Sequence, residues 1–275
     1  MNPSFAIRAA EIETTAGHLL IEAGPAGISF VILDRNKCFA AVVVYAFPFD
    51  MNASAMAQQL EEIVQAEPLL QQQFKKTDIA WTFPQAILVP NEWMNTEAAG
   101  DMLDLVYGDL NSGNVKSDFM FRHNLHTIYR IPEAVANVMA NHFLYASQTH
   151  QYSLLPDLLK NEGNQLYVIF YNNRLTAMLH KEGKLQVIQN LSYQNPEDAA
   201  YHLLNVCQRF EVAVDSVVVK LSGMIDIQSN LYAALYKYFL HIGFEALPGD
   251  VLYNEAINDH PPHFFSHLFA MALCV

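Results

Sequence analysis

Residues 165–210 read QLYVIFYNNRLTAMLHKEGKLQVIQNLSYQNPEDAAYHLLNVCQRF, and this stretch decides the fold. Leu166 to Tyr171 is apolar at every position, the pattern of a strand covered on both faces. Asn172-Asn173 follows; asparagine tolerates positive φ, so a tight hairpin is expected. Leu175, Ala177 and Leu179 alternate with Thr176 and His180, which predicts a half-buried strand over Leu175 to His180. Glu182-Gly183 makes the next turn, and Leu185, Val187 and Leu191 continue the alternation in a third strand. Asn195 then supplies an N-cap, Pro196 suits the first helical position, and Glu197 and Asp198 suit the positive end of a helix dipole. Ala200, Leu203, Leu204, Cys207 and Phe210 recur at helical spacing, so a helix is predicted over Pro196 to Phe210. A buried strand over Val217 to Leu221 and a helix from Ile227 to His241, closed by Gly243 as C-cap, follow. A last strand is expected over Phe244 to Leu247. The order is three strands, then helix, strand, helix, strand.

Upstream, the same plan recurs without residue identity, which argues for an ancient duplication. After a lead-in, strands are expected over His18 to Glu22, Ile28 to Leu33 and Phe39 to Phe47, with turns at Gly24-Pro25-Ala26-Gly27 and Asp34 to Lys37. A helix presenting Met56, Leu60, Ile63 and Val64 starts from caps in Asp50 to Ser54, and Pro68 interrupts or ends it. Asp78 to Thr82 and Ala86 to Val89 read as extended pieces. Thr96 to Val106 reads as a helix with Met102, Leu103 and Val106 inward, and Asn111 to Ser117 as loop. Leu125 to Arg130 reads as a strand, Pro132 to His142 as a helix, and Leu154 to Leu159 as a helical hairpin or short helix. The domains drawn from this are 1–145 and 146–275.

Composition narrows the functional classes. Hydrophobic residues at 52% and charged residues at 16% exclude a disordered chain, and 275 residues suffice for two cores. A formal net charge of −13, with the 15 Lys and Arg scattered, disfavours a nucleic-acid partner. Cys38, Cys207 and Cys274 lie far apart with no metal-type spacing, which fits reduced thiols in a cytosol; Cys207 reads as a core residue. The most apolar run, Phe39 to Phe49, is too short for a membrane span, and Met1 to Glu13 lacks a signal-peptide core. A cytoplasmic location is expected.

Two units of this order, each opening with three antiparallel strands, resemble the actin-like ATPase fold of the ribonuclease-H-like class. The chain is similar to an uncharacterised bacterial family with that fold, and distantly to the pilus-assembly protein PilM. The likeness rests on Ile21-Glu22-Ala23-Gly24, on Val217 to Gly223 with Leu231-Tyr232, and on the aromatic C-terminal run ending at Cys274. It implies a duplicated α/β fold, two lobes each with a mixed five-stranded sheet flanked by helices, around a cleft. An active member needs three nucleotide-binding elements. Glu22 and Gly24 match the acid and glycine of the first turn, but Pro25 has no N–H to offer a phosphate. The second turn, Tyr171-Asn172-Asn173-Arg174, has neither acid nor glycine. The third keeps one glycine, in Leu221-Ser222-Gly223-Met224.

The positions of a degraded nucleotide site are therefore Glu22, Gly24, Asn172, Asn173, Ser222 and Gly223. Glu22 either holds a magnesium ion through water or is a surface carboxylate at a strand end, and Arg174 either meets an anion or faces solvent. No cofactor is expected, the alternative being ATP with magnesium. The favoured reading is a non-catalytic binding or scaffold protein with an unidentified protein partner, a homodimer being one form. The alternatives are a weak nucleotide-binding or kinase-like enzyme, and a metal-dependent protein. His263 and His267 would share a helix face, with Asp259 or Glu255 as a third ligand, but the zinc-protease glutamate is missing and a structural role is favoured. Phe264, Phe265, Leu268 and Phe269 suggest a tail packed on the body, and Tyr232, Tyr236 and Tyr238 either a core face or a partner surface. No nucleophile elbow, Walker loop or dinucleotide fingerprint occurs.

Overall fold

The structure, a computed structural model, describes residues 1–109, 113–158 and 163–275. In chain order the first elements are β1 (Phe5–Arg8), β2 (His18–Gly24), β3 (Gly27–Leu33), β4 (Cys38–Ala46), α1 (Ala53–Ala66), β5 (Lys76–Trp81) and β6 (Ala86–Pro90). Then come α2 (Ala99–Tyr107), β7 (Asn114–Met120), β8 (Leu125–Ile131), α3 (Glu133–His142), β9 (Ser147–His150) and α4 (Gln151–Leu154). The remainder is β10 (Gln165–Phe170), β11 (Arg174–Lys181), β12 (Lys184–Ser192), α5 (Pro196–Arg209), β13 (Val218–Gly223), α6 (Asn230–Tyr236), β14 (His241–Phe244), β15 (Leu252–Tyr253) and α7 (Ser266–Cys274). Two compact units divide the chain: Met1–Leu154 with Val251–Ile257 and Val275, and Leu155–Asp250 with Asn258–Cys274.

The second unit holds a five-stranded sheet in the order β12-β11-β10-β13-β14. β10 pairs antiparallel with β11 and parallel with β13, so the meander and the crossover meet on one central strand. The Glu182-Gly183 hairpin takes positive φ at both residues, 52° and 73°, the geometry that matches strand twist. The Asn172-Asn173 hairpin closes differently. Tyr171 N–H donates to Arg174 O at 2.8 Å, yet neither asparagine takes positive φ. α5 starts as expected, Asn195 accepting from Asp198 N–H at 2.9 Å. Leu203, Val206 and Cys207 of α5 pack with Leu166, Val168 and Leu221 in one buried core that includes Leu235 of α6.

The second helix is shorter than its period suggests. α6 ends at Tyr236, and residues 241–244 form β14, so Gly243 lies in a strand and not at a helix end. Pairing with β13 satisfies a row of edge donors and acceptors that a longer helix would leave unpaired, and that pairing overrides local period.

The first sheet contains the same core order, β4-β3-β2-β5-β9, with β1 and β15 added at the β4 edge. β1 occupies what reads as a lead-in, its alternation limited to Phe5 and Ile7, and β9 spells Ser-Gln-Thr-His with no apolar alternation to announce it. Their strand state comes from ladders offered by β4 and β5. Between β5 and α3 the chain builds a three-stranded sheet, β6-β8-β7. β7 falls on the expected loop; Asn111 and Ser112 of that loop, and Leu159 downstream, lie outside the described residues. α2 covers this sheet with Leu103 buried, whereas Val106, expected inward, is exposed. Val106 shares the face of Met102 and Leu103 but stands in the last turn of the helix, outside the cluster that α2 forms with Val89 and Ile128.

Glu67, the residue after α1, is buried at 2% exposure and ties the added strand to the body. Its Oε2 accepts from Arg8 Nη2 and from Tyr45 OH, both at 2.7 Å. Burial and the neighbouring carboxylate hold the Tyr45 phenol up at about 12. Tyr45→Phe removes one donor from a buried carboxylate and should cost about 1–2 kcal/mol, read as a lower urea midpoint at unchanged slope.

Candidate functional site

In an open α/β sheet, ligand groups gather where parallel strands end at their carboxyl termini. In the first unit those ends are Glu22 and Gly24 on β2, Trp81 on β5 and His150 on β9. Glu22 is not a surface carboxylate: it is 4% exposed, and Gln151 Nε2 donates to its Oε2 at 3.4 Å. Gly24 packs closely on the end of β5: a Cβ there would sit 2.0 Å from Thr82 Oγ1 and force Thr82 to shift. Thr82 in turn donates its N–H to Ala23 O at 3.0 Å, closing the turn against the end of β5.

Gln151, which reaches Glu22, follows His150 in the chain, and His150 belongs to a polar cluster that no motif announces. Asp118 of β7 accepts from His150 N–H at 2.6 Å, Ser153 Oγ at 3.0 Å and Tyr129 OH at 3.1 Å. Burial raises the Asp118 carboxyl, and these donors offset part of the rise. His150 Nδ1 accepts from Tyr152 N–H at 3.1 Å, which leaves Nε2 to donate to Phe83 O at 3.0 Å. Burial holds this imidazole neutral, its pKa down at about 4. A serine, a histidine and an aspartate thus meet, but both ring nitrogens are spent on backbone, so the imidazole cannot take a proton from Ser153. The cluster fastens the small sheet to β9 and α4 within the first unit.

In the second unit, the equivalent turn is closed by its own neighbours. Tyr193 OH donates to Tyr171 O at 3.0 Å and lies 3.3 Å from Asn172 O. The Tyr171 ring meets the His267 ring edge-on at 6.0 Å. Asn172 is exposed, and Asn173 and Arg174 are half-buried.

Ser222 and Gly223 end β13 directly beside Ile169 and Phe170. Gly223 has φ +80°, and a Cβ there would come within 2.2 Å of Phe170 O, the carbonyl that accepts Met224 N–H at 2.7 Å. Its glycine is explained by this close backbone approach. Ser222 is fully buried, its Oγ 3.1 Å from His263 O, 2.8 Å from Ser266 Oγ and 3.1 Å from His267 Nδ1. The C-terminal tail therefore sits on the end of β13, with Phe265, Leu268 and Phe269 buried. His263 Nε2 donates to Ile225 O at 2.6 Å. Among the described residues no group of three or more His, Cys, Asp or Glu is placed to hold a metal ion.

This combination of two sheets in the 3-2-1-4-5 meander-and-crossover order, with turn sites at matching ends, defines a protein of the actin-like ATPase fold. A protein from Bacteroides thetaiotaomicron VPI-5482 with that fold and unknown function is similar at TM-score 0.76 and 16% identity, over 95% of this chain and 97% of that one. The PilM–PilN type IV pilus biogenesis complex follows at TM-score 0.60 and 12% identity, covering 93% and 96%. The ethanolamine utilization protein EutJ from Carboxydothermus hydrogenoformans is similar at TM-score 0.53 and 9% identity, covering 97% and 93%. No curated protein sequence matches. The chain belongs to the family of proteins of unknown function DUF3822, whose model matches residues 9–242.

Two outcomes follow from the geometry. Gly223→Ala should destabilise the fold by more than about 2 kcal/mol in urea titration, because φ and the Phe170 carbonyl both oppose a side chain. The second concerns acid. Burial depresses His267 to about 3, so as pH falls below the ordinary histidine value the unfolded chain takes a proton that the folded one refuses. Its stability contribution is intact above about pH 6.5 and declines toward pH 3, by about 1 kcal/mol per pH unit in the middle of the range. His267→Gln should flatten the stability slope measured between about pH 6.5 and 5.

Proposed function

We propose that this protein is a non-catalytic binding or scaffold module of the cytoplasm, built on the actin-like fold and working through a protein partner. The observation that carries this reading is the tail seated on Ser222 through His263, Ser266 and His267, which consumes the hydroxyl at the end of β13. The donor set does not fit a magnesium–ATP complex. Pro25 offers no N–H, Tyr171 N–H is spent on Arg174 O, and Met224 N–H is spent on Phe170 O. Glu22, the one acid in place, is buried and accepts from Gln151. The alternative, a weak nucleotide-binding enzyme with magnesium at Glu22, rests on that single carboxylate. PilM, which shares the fold, belongs to the PilM–PilN pilus biogenesis complex, and supports an assembly role for such a module. Among the described residues no helix is long and apolar enough to cross a membrane.

Calorimetry with Mg-ATP should show no micromolar binding, and purified protein should release no phosphate above a heat-killed control. Saturable hydrolysis that vanishes in Glu22→Ala would reverse the reading. Cross-linked capture with the full chain as bait should yield one stoichiometric protein partner; an empty bait lane that matches it would count against a scaffold role.

A further inference from the structure

The second unit carries a groove of about 530 Å³ at the carboxyl ends of β13 and β14, which shares only His263 with the surroundings of Ser222. Phe244 and His263 stack within it at a ring distance of 3.9 Å, and Tyr232 stacks on Phe244 at 5.3 Å. Ile227, 59% exposed, also lines it, as do Pro261 and Pro262. Among the described lining residues, the charged side chains are Asp226 and Glu245. His263 does not balance them: its Nε2–H is held by Ile225 O, and burial lowers its pKa, keeping the ring neutral. Burial raises the Glu245 carboxyl, an excess that Lys220 offsets in part. Asp226 Oδ1 accepts from Gln228 N–H at 2.6 Å, which fixes the carboxylate at the rim of an apolar surface.

An aromatic stack, an exposed isoleucine and two carboxylates suit a cation flanked by apolar groups. They repel phosphates. We propose that this groove docks a partner polypeptide segment in which arginine or lysine alternates with apolar residues. The cation lies against Asp226 and Glu245, and the apolar side chains against Ile227 and Phe244. The formal charge of −13 steers such a segment toward the chain, and the groove supplies the specificity. This rests on the reading of the chain as a binding protein and names the chemistry of its partner.

The test uses the full chain and fluorescein-labelled acetyl-(Arg-Leu)4-amide at about 0.15 M salt, where distant charges are screened. Micromolar binding is expected, with none for acetyl-(Glu-Leu)4-amide. Asp226→Asn with Glu245→Gln should weaken binding about tenfold or more, and so should Ile227→Arg alone. Glu92→Gln with Glu97→Gln, an exposed pair in the first unit, should leave it unchanged. Hydrogen exchange should slow at residues 224–229 and 244–247 on binding. Equal loss in the two double variants would show mere attraction to an acidic chain and overturn the proposal. So would absent binding, equal binding of the glutamate peptide, or displacement by Mg-ATP. Failure here with a captured partner leaves the binding role standing and removes only this groove; ATP turnover with the peptide bound does the reverse.

Discussion

Two central strands, β2 and β10, each hydrogen-bond to an antiparallel neighbour on one side and a parallel neighbour on the other, and the rest of the molecule depends on this mixed pairing. The antiparallel partner comes through a tight turn, so a hairpin must lie at the carboxyl end of the central strand. The parallel partner needs a crossover, and the helix that supplies it covers one face. Hairpin and parallel-strand ends then fall together, whatever residues occupy them. A site position is thus a product of topology, while its chemistry is set by the few side chains placed there. Glu22 and Gly24 occupy such an end in one unit, and Asn172, Asn173, Ser222 and Gly223 in the other.

What these residues do is decided by burial. Strands covered on both faces carry their polar groups into low dielectric, where each needs a partner. Ser222 finds three in the tail, and Asp118, half-buried on the edge strand β7, finds donors from β8, β9 and α4. His150 and His267 stay neutral because burial penalises their charged forms. Residue types that elsewhere serve catalysis are here used to fasten a small sheet and a C-terminal tail. The glycine at 223 has a comparable origin, since the backbone of Phe170 lies where a side chain would stand.

The sequence by itself determined the elements whose own side chains carry the signal. Continuous apolar runs marked β10, β4 and β13, alternation marked β11, and Asn195-Pro196 marked the start of α5, because each pattern reports burial or capping within a few residues. The order of those elements was enough for the fold. Tertiary structure alone decided the rest. β1, β9 and β14 are strands because a neighbouring ladder offers them hydrogen bonds, and α6 stops early for the same reason. Glu22 is buried, and Asp118 meets His150 and Ser153, because residues far apart in the chain converge at strand ends. Hydrophobic period is a local quantity; backbone pairing and the desolvation of a polar group depend on distant partners, and only the folded chain supplies those.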